Sequence, residues 1–178
     1  LDTVFGFFPQ EAFVNQVGLP VSDAERAQLD APSDLSIDLT TRQGGGWDSG
    51  RPNLAEPMLL MLDRITDFDA SGGEAGLGRA RGETDVNPGE WFFKAHFMDD
   101  PVWPGSLGCE SFLQLLKAYA ADRWRLDADA VWRTNGLERE HNWTYRGQVL
   151  PTDGKVEVEA VITEVDEQAR RVTASGYL

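Results

Sequence analysis

The stretch Ser106-Leu107-Gly108-Cys109-Glu110-Ser111-Phe112-Leu113-Gln114-Leu115-Leu116-Lys117-Ala118-Tyr119-Ala120-Ala121-Asp122-Arg123-Trp124-Arg125-Leu126 decides how this chain folds. Within it Cys109, Phe112, Leu115, Leu116, Tyr119, Ala120 and Trp124 recur at helical spacing and fall on one wide stripe. The spacing predicts one long, largely buried helix from Ser106 to near Leu126. Just upstream, Asp99-Asp100-Pro101-Val102-Trp103-Pro104-Gly105 carries two prolines, each with a fixed φ and no N–H. That segment is expected to be an extended, stiff lead into the helix.

On both sides of the helix the pattern turns to β. Met58 to Phe68 predicts a strand, Ser71-Gly72-Gly73 a turn, and Gly76 to Thr84 the returning antiparallel partner. A loop follows, holding Asn87-Pro88-Gly89 and then Trp91-Phe92-Phe93. Beyond the helix, three more strands are expected: Asn142 to Leu150, Lys155 to Val165 and Ala169 to Leu178. The middle one alternates cleanly through Val156, Val158, Ala160 and Ile162. Pro151-Thr152-Asp153-Gly154 and Asp166-Glu167-Gln168 supply the turns. Two strands, one long apolar helix and at least three strands are satisfied by a single curved antiparallel sheet wrapped around that helix. This is the α+β hot-dog arrangement.

Residues 1–51 read differently. Pro9 to Val17 has the chemistry of a short helix, and Ser22-Asp23-Ala24-Glu25 is a capping box opening a second one. Gly44-Gly45-Gly46-Trp47-Asp48-Ser49-Gly50-Arg51-Pro52 has linker composition. The main boundary is therefore expected near residue 52, with 1–51 a flanking segment and 52–178 the hot-dog domain. The chain opens without Met, and its last strand stops with neither turn nor tail. Both features suggest a segment cut from a longer polypeptide, with the C-terminal strand truncated.

Composition narrows the function classes. The 178 residues carry 16 basic and 30 acidic side chains, a net charge of −14, which disfavours nucleic acid as a partner. No window approaches the roughly 18 apolar residues of a membrane span, and the first residues lack a secretory signal. A single cysteine, Cys109, excludes an internal disulfide and suits a reducing compartment such as the cytoplasm. With two histidines and no paired cysteines, the chain shows no metal-ligand spacing.

The run Trp91-Phe92-Phe93-Lys94-Ala95-His96-Phe97-Met98-Asp99-Asp100-Pro101-Val102-Trp103-Pro104-Gly105-Ser106-Leu107-Gly108-Cys109-Glu110-Ser111-Phe112-Leu113-Gln114 closely resembles the signature of the β-hydroxydecanoyl-thioester dehydratase family. That signature reads W-F-F-x-x-H-F-x-x-D-P-V-x-P-G-x-L-G-x-(D or E)-x-x-x-Q. Pro57 to Ile65 before it and Gly147 to Thr152 after it extend the likeness, which covers about residues 52 to 178. Within the family, the details are most similar to dehydratase domains embedded in polyunsaturated fatty acid and polyketide synthases.

The resemblance implies dehydration of a 3-hydroxyacyl thioester to the 2-enoyl thioester. It assigns His96 as base, Glu110 as acid, the Gly105 amide beside Ser106 as oxyanion donor, the Val102 carbonyl as orienter of His96, and Gln114 as the residue that holds Glu110 or a water. It also implies a substrate carried on the phosphopantetheine of an acyl carrier protein, no metal or redox cofactor, and a site shared across two hot-dogs. The second of these is either another copy in a homodimer or a neighbouring hot-dog domain. The chemistry agrees on general grounds. Histidine titrates near neutrality and suits a base. A carboxyl on an apolar helix surface can be kept protonated by desolvation. Helix N-terminal amides receive developing negative charge.

Two positions depart from the bacterial decanoyl enzyme: Glu110 stands for Asp and Ser106 for Cys. Neither removes the dehydration chemistry, and neither decides whether the double bond is also isomerised. Taken outside the motif, His96 and Glu110 would read as a packing residue and a helix-dipole partner. Phe97 and Trp103 read as walls, while Cys109 and His141 read as structural. An acyl thioesterase and a non-catalytic hot-dog that completes a partner's dimer are the rival functions.

Overall fold

The computed structural model describes residues 22–41, 47, 50–133, 141–145 and 147–178. Among them, five strands form one antiparallel sheet in chain order: β1 (Ile37–Asp38), β2 (Arg64–Asp69), β3 (Arg79–Asp85), β4 (Lys155–Asp166) and β5 (Arg171–Tyr177). Three helices accompany it, α1 (Asp23–Leu29), α2 (Trp91–Ala95) and α3 (Gly105–Arg123). The long helix α3 packs on β3, β4 and β5. One central helix held by one antiparallel sheet is the hot-dog fold expected from the order of elements. The helix expected at Pro9 to Val17 lies outside the described residues, as does Gly44-Gly45-Gly46.

The core sits between α3 and the sheet. Val156, Val158, Ala160 and Ile162 all point inward from β4, as their alternation predicts. Val156, Val158 and Ala160 share one core cluster with Leu115 and Ala118 of α3, and Leu115, Ala118 and Tyr119 are at most 1% exposed. The inward face of α3 is broader than its apolar stripe. Ser111 and Gln114 are also buried, while Cys109, Leu116 and Trp124 are only half-buried. Gly78, just before β3, has φ +136°, and a Cβ there would lie 2.5 Å from the Tyr119 ring, so the position admits only glycine.

The other face of the sheet is charged and carries α1. The capping box forms as expected: Ser22 Oγ accepts from Glu25 N–H at 3.2 Å, and Ser22 N–H donates to Glu25 Oε2 at 2.8 Å. Arg81 donates to Ala31 O at 3.0 Å, and Tyr177 Oη donates to Glu25 Oε1 at 2.7 Å. Beneath lies Glu159, paired in register with Arg81 and 1% exposed. Burial pushes its carboxyl up, against the opposing charges of Arg79 and Arg81. The sequence pattern does not announce β1, whose Ile37 pairs with Ile65. Leu39 and Trp47, also upstream of residue 52, join the hydrophobic core, and Trp47 Nε1 donates to Pro52 O at 3.0 Å.

Three expectations are corrected. Met58 to Phe68 is not one strand: Pro57–Leu59 forms a 3-10 turn, and the strand begins only at Arg64. The backbone around residues 59–61 finds its partners on α3 instead of in a ladder, since Gln114 donates to Leu59 O (2.7 Å) and accepts from Met61 N–H (2.9 Å). The loop after β3 contains α2, whose Phe92 and Phe93 are buried against Trp103. The described residues of Asn142 to Leu150 hold no strand, so among the described residues two strands follow α3 rather than three. Their aromatic residues rest on α3: Trp143 packs edge-on against Phe112, with centroids 5.9 Å apart. Aromatic β-propensity is used here for packing, not pairing.

Leu115 is 0% exposed at the helix–sheet contact. Leu115→Ala is expected to lower unfolding stability by about 3 kcal/mol through lost burial and the cavity left behind. Denaturant titration followed by tryptophan fluorescence would measure this.

Candidate active site

Two short segments and one helix end bring the predicted residues into place. α2 terminates at His96, whose N–H closes on Phe92 O at 2.8 Å. Buried Phe92 and Phe93, stacked on Trp103, fix α2 to the two-proline segment with ring centroids 4.6 and 6.2 Å from the indole. His96 is thereby held over Val102, and its Nδ1 lies 2.9 Å from Val102 O. A carbonyl only accepts, so Nδ1 donates, and in the neutral imidazole Nε2 then keeps the lone pair. The next residue, Phe97, has φ +59°, a conformation disfavoured for a bulky side chain. Its ring lies 4.2 Å from the imidazole and is 61% exposed.

Pro104 caps α3. Its φ suits a helix start, and its carbonyl receives Leu107 N–H (2.9 Å) and Gly108 N–H (3.3 Å). The amides of Gly105 and Ser106 precede these first helical bonds, at the positive end of the helix dipole. Gly105 is glycine for a steric reason: a Cβ would come within 2.3 Å of the Tyr145 ring. Tyr145 is itself 54% exposed, so it forms a rim beside the helix start. The two-proline segment is tied down at Trp103, whose N–H donates to Val149 O at 2.8 Å. Trp103 is buried and Phe97 exposed, so only the first is a wall inside this chain.

Glu110 is half-buried on the first turns of α3. Its Oε1 accepts from Gln114 Nε2 at 3.1 Å, as expected, and from Lys117 Nζ at 3.2 Å. Lys117 also donates to Leu54 O at 2.6 Å. Sequence reasoning passes over Lys117, although 110, 114 and 117 share one helix face by their spacing. His96 and Glu110 do not hydrogen-bond to each other within this chain: each is bound to the groups just named. Among the described residues, no group of three His, Cys, Asp or Glu could hold a metal ion. None of the described helices is long and apolar enough to cross a membrane. His141, the other histidine, is exposed.

The sequence profile of the FabA-like domain matches residues 54–177, more than half of the chain. The chain belongs to the FabA-like family. It is also 32% identical, over 197 aligned residues, to one of the subunits of a polyunsaturated fatty acid synthase from Thraustochytrium sp.. That alignment takes in 99% of the chain but 13% of the relative's length. Fold, family and relative agree on a dehydratase-type hot-dog domain.

In this FabA-like domain Cys109 lies next to Glu110 on α3 and is free of any disulfide. Burial, and then the charge of Glu110, push its thiol up. Less thiolate means slower alkylation. Iodoacetamide is expected to modify Cys109 more slowly than free cysteine at mildly alkaline pH, and Glu110→Gln should speed the reaction. Gln114, 0% exposed, joins α3 to the backbone of Leu59 and Met61. Gln114→Ala would strand both groups and is expected to cost about 2 kcal/mol of stability, read from the denaturant midpoint.

Proposed function

We propose that this domain removes water from a 3-hydroxyacyl thioester, giving the 2-enoyl thioester, with the acyl group presented on the phosphopantetheine arm of an acyl carrier protein. The observation that carries this reading is the 2.9 Å contact of His96 Nδ1 with Val102 O, which leaves Nε2 of the neutral imidazole open as a base. In the proposed step Nε2 takes the C2 proton. The thioester oxygen then gains negative charge and is met by the amides of Gly105 and Ser106. Glu110 protonates the C3 hydroxyl, the C3–O bond breaks, and water leaves. The C2–H electron pair becomes the double bond. A proton passed from His96 to Glu110 through solvent resets the site.

The two residues belong to different half-sites in this reading, and a second hot-dog brings them together. That copy is either another molecule of this chain or a neighbouring domain of the same synthase. Support comes from the lack of a direct His96–Glu110 contact and from the exposed Phe97, Met98 and Tyr145 around the site. Similarity to part of a polyunsaturated fatty acid synthase supports the carrier-bound substrate.

The test is turnover of a 3-hydroxyacyl pantetheine thioester, following enoyl absorbance. His96→Ala and Glu110→Gln are each expected to lower kcat by about 10²- to 10⁴-fold, the usual worth of a positioned acid or base. An undiminished rate in His96→Ala would exclude the reading. Release of free thiol without an enoyl product would point to a thioesterase, and tight carrier binding without turnover, alone and with the neighbouring domain, to a partner module.

A further inference from the structure

We propose that Lys117 is a positioning residue for the Glu110 carboxyl, fixing which of its oxygens carries the transferable proton; this rests on the dehydratase reading above. Glu110 Oε1 receives two donors, Gln114 Nε2 at 3.1 Å and Lys117 Nζ at 3.2 Å. An ammonium and a side-chain NH2 group only donate, so Oε1 is confined to accepting. A proton on this carboxyl therefore resides on Oε2.

Both donors are themselves pinned from outside the helix. Lys117 Nζ donates to Leu54 O at 2.6 Å, and Gln114 is held between Leu59 O and Met61 N–H. The segment 54–61 thus sets the orientation of an acid that stands on α3. Two anchors on one oxygen leave the other free to meet substrate, which a single flexible contact would not achieve.

Lys117 also acts on charge. When Oε2–H breaks and its proton bonds to the C3 hydroxyl oxygen, Glu110 becomes a carboxylate 3.2 Å from a full positive charge. The C3–O electron pair leaves with water, the C2 proton ends on His96 Nε2, and Lys117 keeps its own protons throughout. Both side chains of the pair are about a quarter exposed (24% and 25%), so solvent screens the attraction only in part. The attraction is stronger to the developing carboxylate than to the neutral acid. It therefore favours the transition state over the bound substrate and acts on kcat more than on KM.

The test compares Lys117→Met, which keeps the aliphatic stem, with Lys117→Arg, which keeps the charge. Both variants are made in the full chain and assayed on the same pantetheine thioester. Lys117→Met is expected to lower kcat about tenfold or more with KM changed less than about twofold, and Lys117→Arg to recover most of the rate. A parallel readout needs no turnover: the Glu110 side-chain resonance in 13C-glutamate NMR spectra, assigned by its disappearance in Glu110→Gln. It should shift in Lys117→Met and return toward the parent position in Lys117→Arg. An unmoved resonance, or a kcat unchanged in Lys117→Met, overturns the proposal. So would equal losses in both variants, since charge would then be irrelevant. A parent protein without turnover, both alone and together with the neighbouring hot-dog domain, would instead reject the dehydratase reading, while the resonance still judges Lys117.

Discussion

A buried amide, Gln114, holds the working end of this molecule together. It accepts from Met61 N–H and donates both to Leu59 O and to Glu110 Oε1. Without it, the backbone between the 3-10 turn and β2 would enter the core with unmatched polar groups, at a penalty of about 1–3 kcal/mol for each. That same amide fixes the carboxylate. The chain's way of entering its sheet and its way of holding the Glu110 carboxyl are therefore one constraint. A buried polar side chain on a helix face is normally a burden; here it replaces strand partners that residues 59–61 do not have.

Around this joint the site divides its tasks between rigid parts. Aromatic packing of α2 on Trp103 presents the imidazole, and the two-proline segment presents the carbonyl that selects its tautomer. The capped end of α3 supplies amides, and its second turn the carboxylate. None of these parts reaches across to complete the set alone. Phe97, Met98 and Tyr145 face out beside these parts.

What the residues disclosed in advance was uneven, for physical reasons. Helix α3 and strand β4 were legible because their periodicities are long and regular, and His96, Val102, Gly105, Glu110 and Gln114 could be named as candidates because they sit in one dense motif. The run from Pro57 to Leu62 was misleading. Short apolar runs fit a strand and a buried turn equally well, and the choice was made by Gln114, more than fifty residues away. Asn142 to Leu150 has strand-forming aromatics, yet Trp143 and Tyr145 rest on α3. Lys117 was hidden for another reason. A lysine on a helix reads as solvated, and only the approach of Leu54 O beside Glu110 gives it a task. Similarly, Ile37, Leu39 and Trp47 lie among turn and linker residues whose composition conceals that they fill the core.

The helix α1 on the charged face of the sheet has a kinetic consequence. Its seat is assembled from Arg79, Arg81 and Tyr177, and the bond from Tyr177 to Glu25 spans 152 residues of chain. In synthesis α1 precedes the sheet, and its bond to Tyr177 cannot form until β5 has joined β4. Loop closure over such a span is slow compared with the local turns that build the rest of the sheet. The helix that precedes the sheet in sequence is thus fully seated only with the last strand of that sheet. Closure of α1 is expected to be the late step that separates a solvated charged face from a finished one.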